Sequence, residues 1–116
     1  MSWILDKILK LSTPVPPVVS TRAIADVFQP DVARPCQVQY TIQQVATSGQ
    51  DGTVKLLSDA ANPPTIERDE VRNASTGGGT VAHKLSYIVP AGHYVKMVAS
   101  GNTTNTITQQ SETSLR

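Results

Sequence analysis

Residues 36–45, Cys-Gln-Val-Gln-Tyr-Thr-Ile-Gln-Gln-Val, alternate apolar and polar side chains with a period of two. Val38, Tyr40 and Ile42 fall on one face, and Gln37, Gln39, Thr41 and Gln43 on the other. Successive strand side chains point to opposite sides, so a half-buried antiparallel strand hides one set and wets the other. Composition extends this reading to the whole chain. It is rich in Val, Thr, Ser and Gln and poor in Glu, Lys and Leu, the profile of an all-β protein. At 116 residues it is long enough to bury one core without a metal or disulfide staple.

Other segments follow the same period. Residues 18–22 are a candidate first strand, and 23–28 a bend or single helical turn closed by Pro30. Ser48-Gly49-Gln50-Asp51-Gly52 is a turn of the hairpin kind, with a strand returning over 53–57. Residues 58–79 make a long connection containing Asn62-Pro63-Pro64, a charged run and Gly77-Gly78-Gly79, with room for a short strand through Thr65, Ile66 and Val71. Val81, His83, Leu85, Tyr87 and Val89 share a face of the next strand. Pro90-Ala91-Gly92 is a tight turn, after which 93–99 is expected to pair back. Residues 100–105 read as a polar loop. Residues 106–110 are either a last strand or the start of a polar tail that ends at 116. About six or seven strands without helical crossovers predict an antiparallel β-sandwich or jelly-roll-like domain over 18–110.

The N-terminus departs from this pattern. Within residues 1–13, Ile4, Leu5, Ile8, Leu9 and Leu11 recur at helical spacing, with Asp6, Lys7 and Lys10 opposite. Ser2 is a fitting N-cap and Pro14 a stop. The charges interrupt what would have to be an unbroken apolar run in a secretory signal. No stretch approaches the roughly 20 apolar residues that span a bilayer. So short a helix is marginal alone in water, so either its own domain or a partner buries the stripe. Residues 14–17, Pro-Val-Pro-Pro, form a stiff spacer that holds the helix away from the strands beyond it. That arrangement makes Trp3, Ile4, Leu5, Ile8, Leu9 and Leu11 anchoring candidates, facing another subunit or a larger partner.

Chemistry is sparse. Ten basic side chains against nine acidic leave a formal charge of +1, without the basic excess a nucleic-acid binder uses against phosphates. One cysteine excludes an internal disulfide and a multi-cysteine zinc site; Cys36 reads as a buried thiol. His83 and His93 flank the 90–92 turn without a carboxylate or thiol to complete a metal site. Gly77-Gly78-Gly79-Thr80 lacks the Lys-Ser/Thr partner of a phosphate loop. Asp51, Asp59 and Glu70 offer no pair placed as glycoside hydrolysis requires. Glu67, Arg68, Asp69, Glu70 and Arg72 are mixed in sign, a solvated run suited to outward loop or oligomer contacts. No cofactor, metal, membrane or nucleic-acid partner is expected, and no enzyme.

Several phrases carry a resemblance. Ser20-Thr21-Arg22, then residues 28–34, Phe-Gln-Pro-Asp-Val-Ala-Arg, then Val38-Gln39-Tyr40-Thr41-Ile42 resemble the opening of a family of small tailed-bacteriophage proteins. Residues 49–56, Gly-Gln-Asp-Gly-Thr-Val-Lys-Leu, and 89–96, Val-Pro-Ala-Gly-His-Tyr-Val-Lys, continue it in matching order. The likeness covers roughly residues 20–100 and leaves out the leader and the tail. It implies a virion β protein made in the host cytoplasm. With the leader, it leads to the expectation of a capsid decoration or cement protein. Such a protein would sit on the particle surface as a homo-oligomer, expected to be a trimer, against the major capsid protein or a neighbouring virion protein. The alternative is a tail fibre, spike or glycan-binding receptor domain.

Overall fold

The computed structural model describes residues 22–74 and 78–115. The helix expected over 1–13, the spacer, residues 18–21 and Gly77 lie outside the described residues. The strands are β1 (Val27–Phe28), β2 (Cys36–Ala46), β3 (Gly52–Asp59), β4 (Glu67–Asn73), β5 (Gly79–Val89), β6 (Tyr94–Gly101) and β7 (Thr104–Ser114). They form a four-stranded antiparallel sheet, β1-β6-β3-β4, and a three-stranded one, β5-β2-β7. One core joins the two, as in a β-sandwich. Val38, Tyr40, Ile42 and Leu85 enter from one sheet; Phe28, Val54, Leu56, Val71, Val95 and Met97 enter from the other. The alternation predicted for 36–45 is seen over all of β2, which is the central strand of its sheet.

Partner choice differs from the sequence reading at two turns. The 48–52 segment is a tight turn: Gln50 N–H donates to Thr47 O at 3.0 Å, and Gly49 has φ +81°. Yet β2 and β3 do not pair. The chain crosses from one sheet to the other, and the apolar faces of the two strands meet across the core. The turn at 90–92 does the same. His93 N–H donates to Pro90 O at 3.1 Å and Gly92 has φ +76°, but β5 and β6 belong to different sheets. So 93–99 pairs with β3 and β1, not back onto the preceding strand. His83 is exposed opposite Ile42, while His93 is half-buried just before β6. A turn signal specifies reversal; which strand lies alongside is decided by burying both apolar faces at once.

Three boundaries also move. The short strand allowed for through Thr65, Ile66 and Val71 is β4, which starts at Glu67, takes in the charged run and extends to Asn73, with Val71 and Asn73 facing inward while Glu70 and Arg72 face out. The 100–105 loop contracts to Asn102 and Thr103. The strand expected over 106–110 runs on to Ser114, because Glu112 and Ser114 have inward partners.

The sharp return from β6 to β7 depends on two glycines that face each other in the register, Gly52 and Gly101. A Cβ on Gly52 would overlap the Thr103 side chain, and one on Gly101 would strike the backbone of Asp51 and Gly52. Gly101 also has φ +89°, where L side chains are strained. Gly101→Ala is therefore expected to cost about 3 kcal/mol in denaturant unfolding. A loss below about 1 kcal/mol would show that this corner adapts.

Candidate functional site

Arg22 is held through both its side chain and its backbone. Arg22 Nε donates to Glu112 Oε2 at 2.9 Å and Nη2 to Oε1 at 3.0 Å, a two-point pair across 90 positions of sequence. Tyr40 Oη donates to Glu112 Oε2 at 2.7 Å. The guanidinium lies 4.3 Å from the Phe28 ring centroid, and that ring meets Tyr40 edge-on at 6.0 Å. The Arg22 backbone is fixed as well. Its N–H donates to Gln110 Oε1 at 2.8 Å, and Gln110 Nε2 donates to its carbonyl at 3.1 Å. One side-chain amide thus does for Arg22 what a neighbouring strand would do.

Local structure explains why these groups converge. Tyr40 and Glu112 point to the inner face from adjacent strands β2 and β7, and their neighbours Val38 and Gln110 flank them in the register. Residues 22–28 then cross to the other sheet, where Ala25 N–H donates to Met97 O at 2.8 Å and β1 pairs with β6. Glu112 is 5% exposed and Arg22 26%. Removing Arg22 would take the paired cation away from a buried carboxylate, a loss on the order of 3–5 kcal/mol. The carboxylate holds the Arg22 pKa above its ordinary value. Burial first, then Glu112, pushes the Tyr40 hydroxyl up. Burial, with Glu112 and Asp31 behind it, pushes the Cys36 thiol up to about 11.

The end of β7 next to this cluster is closed. Ser114 Oγ donates to Asp31 Oδ2 at 2.6 Å, and Leu115 N–H to Pro35 O at 2.7 Å. Asp31 also accepts from the N–H groups of Ala33 and Arg34, and its pKa is lowered, Ser114 being the largest cause. At the opposite end, fully buried Gln44 donates to Gly52 O and Asn105 Oδ1, both at 3.1 Å. Asn73 Nδ2 donates to Gln44 O at 3.1 Å and Gly79 O at 3.2 Å. This second network ties five strands, and its Asn105 also lines a hollow of about 280 Å³ beside Arg22 and Ile24.

The predicted contact residues on β4 are placed apart from the cluster. Arg72 pairs with Asp51 at 2.6 Å and Lys55 with Glu67 at 3.5 Å, all four exposed or half-exposed. Arg68 Nε donates to Ser58 O at 3.0 Å and its guanidinium lies 5.4 Å from the Tyr87 ring centroid. Asp69 Oδ2 accepts the Ser86 N–H at 2.8 Å, so β4 and β5 close one side of the sandwich together. The leader residues Trp3, Ile4, Leu5, Ile8, Leu9 and Leu11 lie outside the described residues.

The two outer faces differ in charge. That of the four-stranded sheet carries Lys55, Glu67, Glu70, Arg72 and Lys96. That of the three-stranded sheet carries amides and hydroxyls together with exposed Val45 and Ile88, with Lys84 its one charge among the described residues. A β-bulge beside Thr41 opens a groove of about 410 Å³ there, lined by Gln39, Thr41, Lys84, Thr108, Gln109, Gln110 and Ser111. Among the described residues no three His, Cys, Asp or Glu side chains gather as a metal site requires. Sequence reasoning missed Arg22, Gln110 and Glu112; no local pattern marks partners 88 and 90 positions apart.

Comparison with known protein families, with curated proteins and with solved structures finds no match.

The shifted groups give the cluster an alkaline signature. A pKa raised on folding means that stability present below the unfolded value is lost as pH climbs past it. The Cys36 thiol, ordinarily near 9.0, ionises first in the unfolded chain. Stability is therefore expected to fall from about pH 9, with Tyr40 adding to the loss above about pH 10. Cys36→Ala should move the onset up towards about pH 10. Equal stability at about pH 8.5 and about pH 10.5 would contradict the burial of both groups.

Proposed function

We propose that this chain is a bacteriophage structural protein, a capsid decoration or cement protein that binds the head surface as a homo-oligomer through its N-terminal leader. The observation that carries the reading is the fixing of Arg22. Arg22, five residues after the Pro-Val-Pro-Pro stretch in sequence, has its N–H, carbonyl and side chain all bonded to β7. A free, purely connecting segment needs no such root; an arm that transmits load between two bodies does. The resemblance to tailed-phage proteins over residues 20–100 supports the same assignment. A jelly-roll-like domain would present its loops outward, while the apolar helix residues dock on the major capsid protein or on the leaders of other copies.

The mechanism is stabilisation by burial. A bound copy adds interface area across adjacent capsomers, and whatever binds the assembled shell but not its open form favours the shell by mass action. No covalent chemistry is involved, and no nucleic acid, membrane or cofactor. A second reading, a glycan-binding tail fibre or spike domain, is favoured by one feature, the amide- and hydroxyl-lined groove beside Thr41. Among the described residues no aromatic stands fully exposed for a sugar to stack on: Tyr40 is buried, Tyr87 is half-buried beneath Arg68, and Tyr94 is half-buried.

Replacing Ile4, Leu5, Ile8 and Leu9 with Ser in the full chain is expected to abolish co-sedimentation with phage heads while the far-ultraviolet spectrum of the β domain stays unchanged. Heads bearing the wild-type chain should withstand heating better than bare heads. Undiminished binding of the quadruple variant, or binding confined to the tail tip, would overturn the assignment.

A further inference from the structure

Side chains leave a pleated sheet alternately on its two sides, which keeps the face regular. The outer face of β5-β2-β7 departs from that rule at one place. Thr41 lies opposite Gln109 and Ile42 opposite Ile107, so Thr108 is an inserted residue with no partner in the register. Consecutive Thr108 and Gln109 are both exposed, where regular alternation would turn one of them inward. A bulge of this kind bends its strand and re-aims side chains. Here it walls the groove of about 410 Å³ on the β7 side, a volume within the range of small-molecule sites.

Gln39 and Thr41 of the central strand, both half-buried, form the floor of the groove. Ser111 stands opposite Gln39, and Gln109 opposite Thr41, on one side; Lys84 stands opposite Thr41 on the other. A carboxamide offers donors and an acceptor together, and a hydroxyl does the same. That set suits neighbouring hydroxyls on a sugar ring, which also donate and accept at once. No aromatic ring lines the groove, so recognition there is by hydrogen bonds and charge. The charge is of one sign. Lys84 is the one charged side chain on this face among the described residues, and none of the ion pairs among them engages it.

We propose that this groove binds an acidic saccharide, with Lys84 paired to the carboxylate of a uronic acid and Gln39, Thr41 and Gln109 bonded to ring hydroxyls. The amide and hydroxyl lining selects a polyhydroxylated ligand. The ammonium, with no carboxylate on its face to neutralise it, selects one that carries a negative charge. A single lysine is a point charge matched to one carboxylate. The groove has neither the arginine fork nor the helix N-terminus that commonly holds a phosphate. The inference rests on the second reading above, whose groove it uses, and is indifferent to where the leader docks.

Titration of the full chain with α-1,4-linked trimers of galacturonic acid and of galactose, followed by backbone amide NMR, tests it. The acidic trimer is expected to give saturable shifts centred on Gln39, Thr41, Lys84 and Gln109. It should bind at least about five-fold more tightly than the neutral trimer. Lys84→Gln should remove that preference and leave binding of the neutral trimer as it was. Gln39→Ala combined with Gln109→Ala should weaken both. All three side chains lie on the outer face, and an unchanged spectrum away from the groove verifies that each variant is folded. Inorganic phosphate should not displace the acidic trimer. Equal affinity for the two trimers would overturn the inference and leave a neutral-glycan groove standing, whereas no saturable shift with either would remove both. Shifts centred elsewhere, a preference that survives Lys84→Gln, or displacement by phosphate would also overturn it.

Discussion

The two-point pair between Arg22 and Glu112 is the contact on which the arrangement turns. It spans 90 positions and closes the open side of the sandwich, where one sheet has only the two-residue β1 to offer. Such a pair inside a protein adds little net free energy, since desolvating both ions offsets most of their attraction. Its effect is positional. A bidentate fork, a buried tyrosine donor and an aromatic ring under the guanidinium leave Arg22 one place to sit. Gln110 then fixes the backbone on both sides of that residue.

The rest of the molecule divides its polar groups along the same logic. Three buried ones hold strands together: Glu112 at one end, Gln44 and Asn73 at the other. Charged ones crowd the outer face of one sheet and the β4 edge. Uncharged amides and hydroxyls are left to the other outer face and to β7, the two surfaces where removing water costs least. The same strand, β7, carries Glu112 on its inner face and exposed Thr104, Thr106 and Thr108.

The sequence was most informative where burial alone decides. Val38, Tyr40 and Ile42 were assigned to the core by alternation and are fully buried. The strand reading of the domain, the buried thiol and the positions of the turns were legible for the same reason. Pairing was not. The segments at 48–52 and 90–92 have hairpin chemistry, but their flanking strands belong to opposite sheets, and nothing in so short a turn encodes which sheet the chain enters next. The last strand was cut short because Ser111-Glu112-Thr113-Ser114 is polar; its inward residues are buried against Arg22 and Asp31, partners that no window of sequence contains. The Arg22 site stayed hidden for that reason. An arginine after Val-Val-Ser-Thr and a glutamate in a polar terminus look ordinary until a fold brings them to 2.9 Å.

If the leader starts from a fixed root, the Arg22 N–H must stay bonded to Gln110 in solution. Amide hydrogen exchange of the full chain reads this directly. Exchange at Arg22 should be as slow as at core amides of β2, and Gln110→Ala should release that protection while β2 stays protected. Exchange at Arg22 as fast as in an exposed loop such as 48–50 would show that the domain does not grip its leader, and the fixed root would have to be abandoned.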